Sequence, residues 1–168
     1  MNKLFTICTV AAGLAIGQAV WAQSAVTSTF AAQRVDMVDG KPVLQPAAQS
    51  KPGDIIEYSS TYKNGGASAA EKLLATVPVP AGTTLIAGSA QPAQALASTD
   101  GVAFAPMPLM RSVHQPDGSQ RSEAVPLADY RALRWSVGTL GAGGSVVVSL
   151  RVRIDSPVIA APAGKPTL

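Results

Sequence analysis

His114 is the only histidine and Cys8 the only cysteine in a chain of 168 residues. The side chains that most often carry nucleophilic, acid–base or metal chemistry are therefore scarce. His114 lies in Arg111-Ser112-Val113-His114-Gln115-Pro116, a stretch that reads as a loop. A catalytic histidine needs a nucleophile or a carboxylate held beside it, and no spacing here supplies one. A zinc site would lack its Cys/His ligand set. The acidic positions Asp36, Asp39-Gly40, Asp54, Asp100-Gly101 and Asp117-Gly118 could offer oxygens to calcium, which takes roughly six to eight of them. None follows a recognised calcium loop, and Asp-Gly is a common turn pair, so turn chemistry is the reading. No Gly-x-Ser-x-Gly elbow occurs. The glycine-rich residues 138–144 lack a Lys-Ser/Thr ending and lead into a strand, which excludes a phosphate loop. No catalytic residue, metal or cofactor is expected.

Three arginines remain as a candidate surface site. Arg134 alternates with Leu133 and Trp135, while Arg151 and Arg153 alternate with Leu150, Val152 and Ile154. Read as the two arms of a hairpin, these segments place Arg134, Arg151 and Arg153 on one outward face. Such a face could meet an acidic polymer, such as lipopolysaccharide phosphates or acidic glycans. The plainer reading is a solvated outer face that discourages sheet stacking.

The elements that position these residues follow from composition and pattern. The chain is 47% hydrophobic and 14% charged with a formal charge of +3, which excludes a disordered polyelectrolyte and gives no reason to expect nucleic acid. Asn2 and Lys3 precede an apolar run of about 17 residues, which ends at Val20-Trp21-Ala22; this is the layout of a secretory signal peptide rather than a membrane anchor. Cleavage after Ala22 removes Cys8 and leaves a mature chain without cysteine. Export permits disulfides, so burial and hydrogen bonds alone must hold this domain together.

Beyond residue 22 the dominant period is two. Val26 to Val38 reads as a first strand, Asp39-Gly40-Lys41-Pro42 as a turn, and Val43-Leu44 as a short piece ending near Pro46. After the turn Lys51-Pro52-Gly53-Asp54, the residues Ile56, Tyr58, Ser60 and Tyr62 form one face of a strand. Two more strands are expected near residues 73–77 and 83–87, joined by a segment in which Pro78 and Pro80 bar a central ladder. Asp100-Gly101 is expected to turn a hairpin into residues 102–104. Leu133, Trp135 and Val137, followed by Val146, Val148, Leu150, Val152 and Ile154, form the strongest alternation, with Trp135 as the largest core anchor. The Ala-rich residues 68–75 are the best helical candidate but too short between glycines and prolines. The chain divides into a signal peptide at 1–22, an all-β domain at 23–156 and a Pro/Ala-rich tail at 157–168. About seven short antiparallel strands indicate an immunoglobulin-like β-sandwich.

Three groups of residues carry a family likeness. They are Lys51-Pro52-Gly53-Asp54-Ile55-Ile56-Glu57-Tyr58 with Asn64-Gly65-Gly66, then Val79-Pro80-Ala81-Gly82-Thr83-Thr84 with Gly88-Ser89, and then Arg134-Trp135-Ser136-Val137-Gly138-Thr139-Leu140 with Gly143-Gly144-Ser145. The set resembles the bacterial surface-protein repeat domain called domain of unknown function eleven. The likeness runs over residues 25–155 as one copy, with Ser60 standing where the family usually has an aliphatic residue. The resemblance implies an immunoglobulin-like module of exported and envelope proteins, with structural or adhesive roles and no catalytic residues.

The reading that results is an exported, non-enzymatic immunoglobulin-like module, in the periplasm or at the cell surface of a bacterium. It would act in protein–protein interaction, adhesion or structural assembly. Its expected partner is another envelope or surface protein, met by edge-strand addition, without a membrane span in the mature form. The alternative is a carbohydrate- or anionic-glycan-binding domain that uses Tyr58, Tyr62 or Trp135 as stacking platforms.

Overall fold

The computed structural model describes residues 26–156. The expected signal peptide at 1–22, Cys8 with it, and the tail at 157–168 lie outside the described residues. Within them the regular structure is antiparallel β-strand, apart from two three-residue 3-10 turns at Ala47–Gln49 and Leu127–Asp129. No helix among these residues is long and apolar enough to cross a membrane.

Eleven strands are formed, in chain order β1 (Val26–Val38), β2 (Lys41–Pro46), β3 (Ile55–Asn64), β4 (Ala70–Pro78), β5 (Thr83–Leu85), β6 (Leu96–Ser98), β7 (Ala105–Pro106), β8 (Met110–His114), β9 (Gln120–Ala124), β10 (Ala132–Leu140) and β11 (Ser145–Ile154). One sheet has the order β2-β1-β3-β11-β5 and a second has β4-β10-β6-β7, while β8 and β9 form a separate ribbon. The expected first strand and the alternation at Ile56 to Tyr62 are realised in β1 and β3. The first turn is tighter than expected. Val38 pairs with Lys41, and Asp39 and Gly40 take φ values of 51° and 75°. Two left-handed residues in a row make the two-residue turn that matches strand twist.

The two large sheets share one core. Ile56, Leu85, Val148, Leu150 and Val152 come from the first, and Ala75, Val77, Ala97, Leu133 and Trp135 from the second. Ala75 lies directly across the ladder from Trp135, so a small side chain makes room for the indole, whose Nε1 donates to the Pro92 carbonyl at 2.6 Å. Tyr130 is fully buried and its hydroxyl accepts from the Leu109 amide at 2.8 Å. Burial is thus combined with satisfied polar groups.

The clearest departure from the sequence reading concerns the last two strands. β10 and β11 do not form a hairpin: β10 pairs with β4 and β6, whereas β11 pairs with β3 and β5. Alternation determines which face of a strand is buried, but not which neighbour it bonds. When two sheets face each other, an arch between them buries the same residues that a hairpin would. Here the arch is pinned by Asn64, which is 2% exposed. Its Nδ2 donates to the carbonyls of Ser68, Leu140 and Gly141 at 2.8, 2.9 and 3.1 Å. Its own backbone exchanges bonds with Gly143 and Gly144. A Cβ on Gly144 would stand 2.9 Å from the Gly141 carbonyl oxygen, so the arch closes only around a residue without one.

Other corrections are smaller. Residues 102–104 are not a strand, since β6 turns back only at β7. His114 ends β8 rather than lying in a loop, and the pairing of β8 with β9, whose connection does hold the turn residues Gln115-Pro116-Asp117-Gly118, is not revealed by alternation.

Removing the Asn64 amide leaves three carbonyls without their donor. Asn64→Ala is therefore expected to lower unfolding free energy by about 3 kcal/mol, read as a shifted urea midpoint at unchanged slope.

Candidate functional site

The structure separates the three arginines. Arg134 lies on β10 in the second sheet, whereas Arg151 and Arg153 lie on β11 in the first. The expected common face does not exist, because it rested on pairing β10 with β11. Arg134 is also engaged: Nε donates to the Thr76 hydroxyl at 3.1 Å, and the guanidinium carbon stands 3.6 Å from the Phe104 ring centroid, a cation–π geometry. Arg151 donates from Nε to Glu57 at 2.8 Å, directly across the ladder. Arg153 is exposed and forms no ion pair among the described residues.

The acidic turns act on their own backbones. Asp54 accepts from the Lys51 amide, and Asp117 from the amide and hydroxyl of Ser119. Asp100 Oδ1 accepts from the amides of Val102 and Ala103 and from the Ser98 hydroxyl, at 2.8 to 2.9 Å. These donors, the Val102 amide foremost, hold the Asp100 carboxyl below the usual carboxylate range. His114 Nε2 meets the Gln120 amide at 3.0 Å, and the Ser112 hydroxyl donates to the same Gln120 side chain. An amide thus stands between histidine and hydroxyl, where a base would need direct contact with its nucleophile.

A hollow of about 410 Å³ lies between the loop at Phe104 and the β8–β9 ribbon, with Asp100, Arg111 and Asp129 among its lining residues. These groups are already engaged, since Arg111 pairs with Glu123 at 2.7 Å and Asp129 at 3.7 Å, and Asp100 accepts from its own turn. The aromatic candidates are similarly committed. Trp135 is buried, the Tyr62 hydroxyl bonds the Thr76 backbone, and Tyr58 is stacked under Phe30 with centroids 5.5 Å apart.

The most distinctive surface lies on β1 and β2. None of the buried core residues comes from these strands. Phe30 sits on the core-side face, opposite Ser60, yet remains 51% exposed, because the second sheet ends at β4, above β3. Beyond Arg34 the strand β1 has no partner on β3, and the projecting β1–β2 ribbon exposes Met37, Val38 and Leu44. Exposed apolar residues grouped this way mark an interaction surface more often than scattered ones do. Consecutive apolar residues at Met37-Val38, one on each face, were the signal for this in the sequence.

The edges, by contrast, are blunted. The Val38–Lys41 pair closes the turn, so Lys41, Val43 and Gln45 bond to β1 while Pro42, Leu44 and Pro46 face outward. Two of these three positions have no N–H. Just past β4 the Val79 amide donates to the carbonyl of Arg131, the residue before β10, which turns Leu74, Thr76 and Pro78 to the free side. Tyr62, reaching across from the other sheet, accepts from the Thr76 amide at 3.1 Å and donates to its carbonyl at 3.4 Å. Pro78 has no N–H, and Lys72 takes φ 55°, which breaks the strand further along. These are recognised means of discouraging strand addition. No family model, curated protein or solved structure matches the chain.

Tyr62→Phe should cost about 1 kcal/mol and open the β4 edge; analytical ultracentrifugation should then show stronger concentration-dependent association than for the parent protein. Asp100 has a depressed folded-state pKa, so its contribution is present above the unfolded value and is lost as pH falls through the folded one. Asp100→Asn should therefore lower the thermal midpoint at neutral pH, with the difference closing under acid conditions.

Proposed function

We propose that this protein is an exported, non-enzymatic immunoglobulin-like module of the bacterial cell envelope, acting by protein–protein interaction, adhesion or structural assembly. The reading takes the two sheets around one core as the two layers of the sandwich, and residues 1–22 as the export signal. The likeness to domain of unknown function eleven belongs to the same proposal.

The observation that carries it is the projecting β1–β2 ribbon, with Met37, Val38 and Leu44 exposed beyond the covered sheet. A partner that buries these side chains gains the transfer free energy of apolar surface, about 25 cal/mol per Å². The blunted edges favour docking on the faces of this ribbon over addition of a strand. The Arg34–Asp36 pair, at 2.8 to 2.9 Å on the core-side face, gives that surface a polar landmark beside the apolar ones.

Two measurements test the reading. Expressed from Met1, the protein should be recovered in the periplasmic or extracellular fraction with Gln23 as its N-terminus. Recovery in the cytoplasm with residues 1–22 retained would contradict export. In a binding assay against solubilised envelope from its own cell, Met37→Asp with Leu44→Asp should abolish retention and leave the thermal midpoint within a few degrees. Undiminished retention would remove the ribbon as the working surface.

A further inference from the structure

A second feature lies on the opposite side of the molecule, along β5 and the segment that follows it. A hollow of about 260 Å³ opens there, lined by Leu85, Ala90, Met107, Leu127, Tyr130 and Leu133 among others. Its lining is almost wholly apolar, and the one polar tip in this group, the Tyr130 hydroxyl, already accepts from the Leu109 amide. An adjoining hollow of about 240 Å³ shares Leu85, Ile86, Ala87 and Leu127 as walls, and adds Thr84 and Arg153. An apolar compartment and a cationic one therefore lie side by side.

Arg153 stands out among the described arginines. Arg34, Arg111, Arg121 and Arg151 are ion-paired. Arg131 donates to the carbonyls of Ala128 and Tyr130, and Arg134 to Thr76. Among the described residues only the Arg153 guanidinium has no such partner. The neighbouring carboxylate, Asp155, accepts from the Thr84 hydroxyl at 2.7 Å instead. A guanidinium presents a planar fork of donors that fits a carboxylate in two-point fashion. Binding sites for small molecules combine an apolar chamber with a few fixed polar groups, and usually occupy about 300–1,000 Å³. Each hollow alone falls just under that range, and together they suit one short chain with one head group.

We propose that this pair of hollows binds a free single-chain carboxylate amphiphile, its hydrocarbon chain in the compartment over Tyr130 and its carboxylate on Arg153. The chamber has room for one chain, which favours a monomeric fatty-acid-like molecule over a bilayer lipid. The site is separate from the β1–β2 ribbon and stands or falls independently of it.

The test is isothermal titration calorimetry of the full protein with decanoate below its micelle concentration, followed by amide chemical-shift mapping. One-to-one binding is expected, with shifts centred on residues 85–87 and Leu127. Arg153→Gln should weaken decanoate about tenfold and leave decanol binding unchanged, because only the head-group contact is removed. Ala87→Trp, at an exposed position on the shared wall, should abolish both without lowering the thermal midpoint. The proposal is overturned if decanoate does not bind, if Arg153→Gln weakens both ligands equally or neither, or if the protein binds anionic phosphatidylglycerol vesicles but not free decanoate.

Discussion

The carboxamide nitrogen of Asn64 has two hydrogens to share among three carbonyl oxygens, those of Ser68, Leu140 and Gly141. Its Oδ1 in turn accepts from the Gly66 amide at 3.0 Å. One buried side chain thereby ties the end of β3, the approach to β4 and the arch from β10 to β11. A buried polar group is tolerated only when satisfied, and this one finds its partners where the chain passes from β10 in one sheet to β11 in the other. Once they do, Trp135 must face Val148 and Leu150 across the core rather than lie beside them, and the two-layer packing follows. No cysteine lies among the described residues, so no disulfide adds to this pin there.

Much of this is legible in the sequence, and the limits have physical causes. β1 and β3 could be read because burial on one face leaves a period of two, and turns such as Lys51-Pro52-Gly53-Asp54 announce themselves through proline and glycine. The buried set on β10 and β11 was equally plain. Their partnership was not, since arch and hairpin bury the same positions. Asn64-Gly65-Gly66 reads only as the end of a strand, because a side chain reaching Leu140 leaves no local trace. β8 and β9 escaped because the ribbon is exposed on both faces and so shows no alternation. The arginine site failed with the hairpin, whereas the apolar pair Met37-Val38 was present in the sequence but was absorbed into the first strand.

Apolar surface and backbone donors are managed differently around the molecule. Pro42 and Pro46 remove donors from one outer edge, and the Tyr62 hydroxyl occupies another from the facing sheet. Yet the β1–β2 ribbon leaves Phe30, Met37, Val38 and Leu44 exposed. A chain that only avoided association would not spend its edge protection beside an uncovered apolar surface. The combination supports the proposal made above, in which a partner is met through side chains and not by β-pairing.

The partition of β10 and β11 between two sheets is the claim on which the core, the edges and the uncovered ribbon all depend. Inter-strand NOEs from an isotopically labelled sample test it most directly. The account predicts ladder contacts between Ala75 and Trp135 and between Tyr58 and Leu150, with Asn64 side-chain amide protons close to Leu140 and Gly141. A continuous ladder that pairs Leu140 with Ser145 and steps down both strands as a hairpin would contradict it.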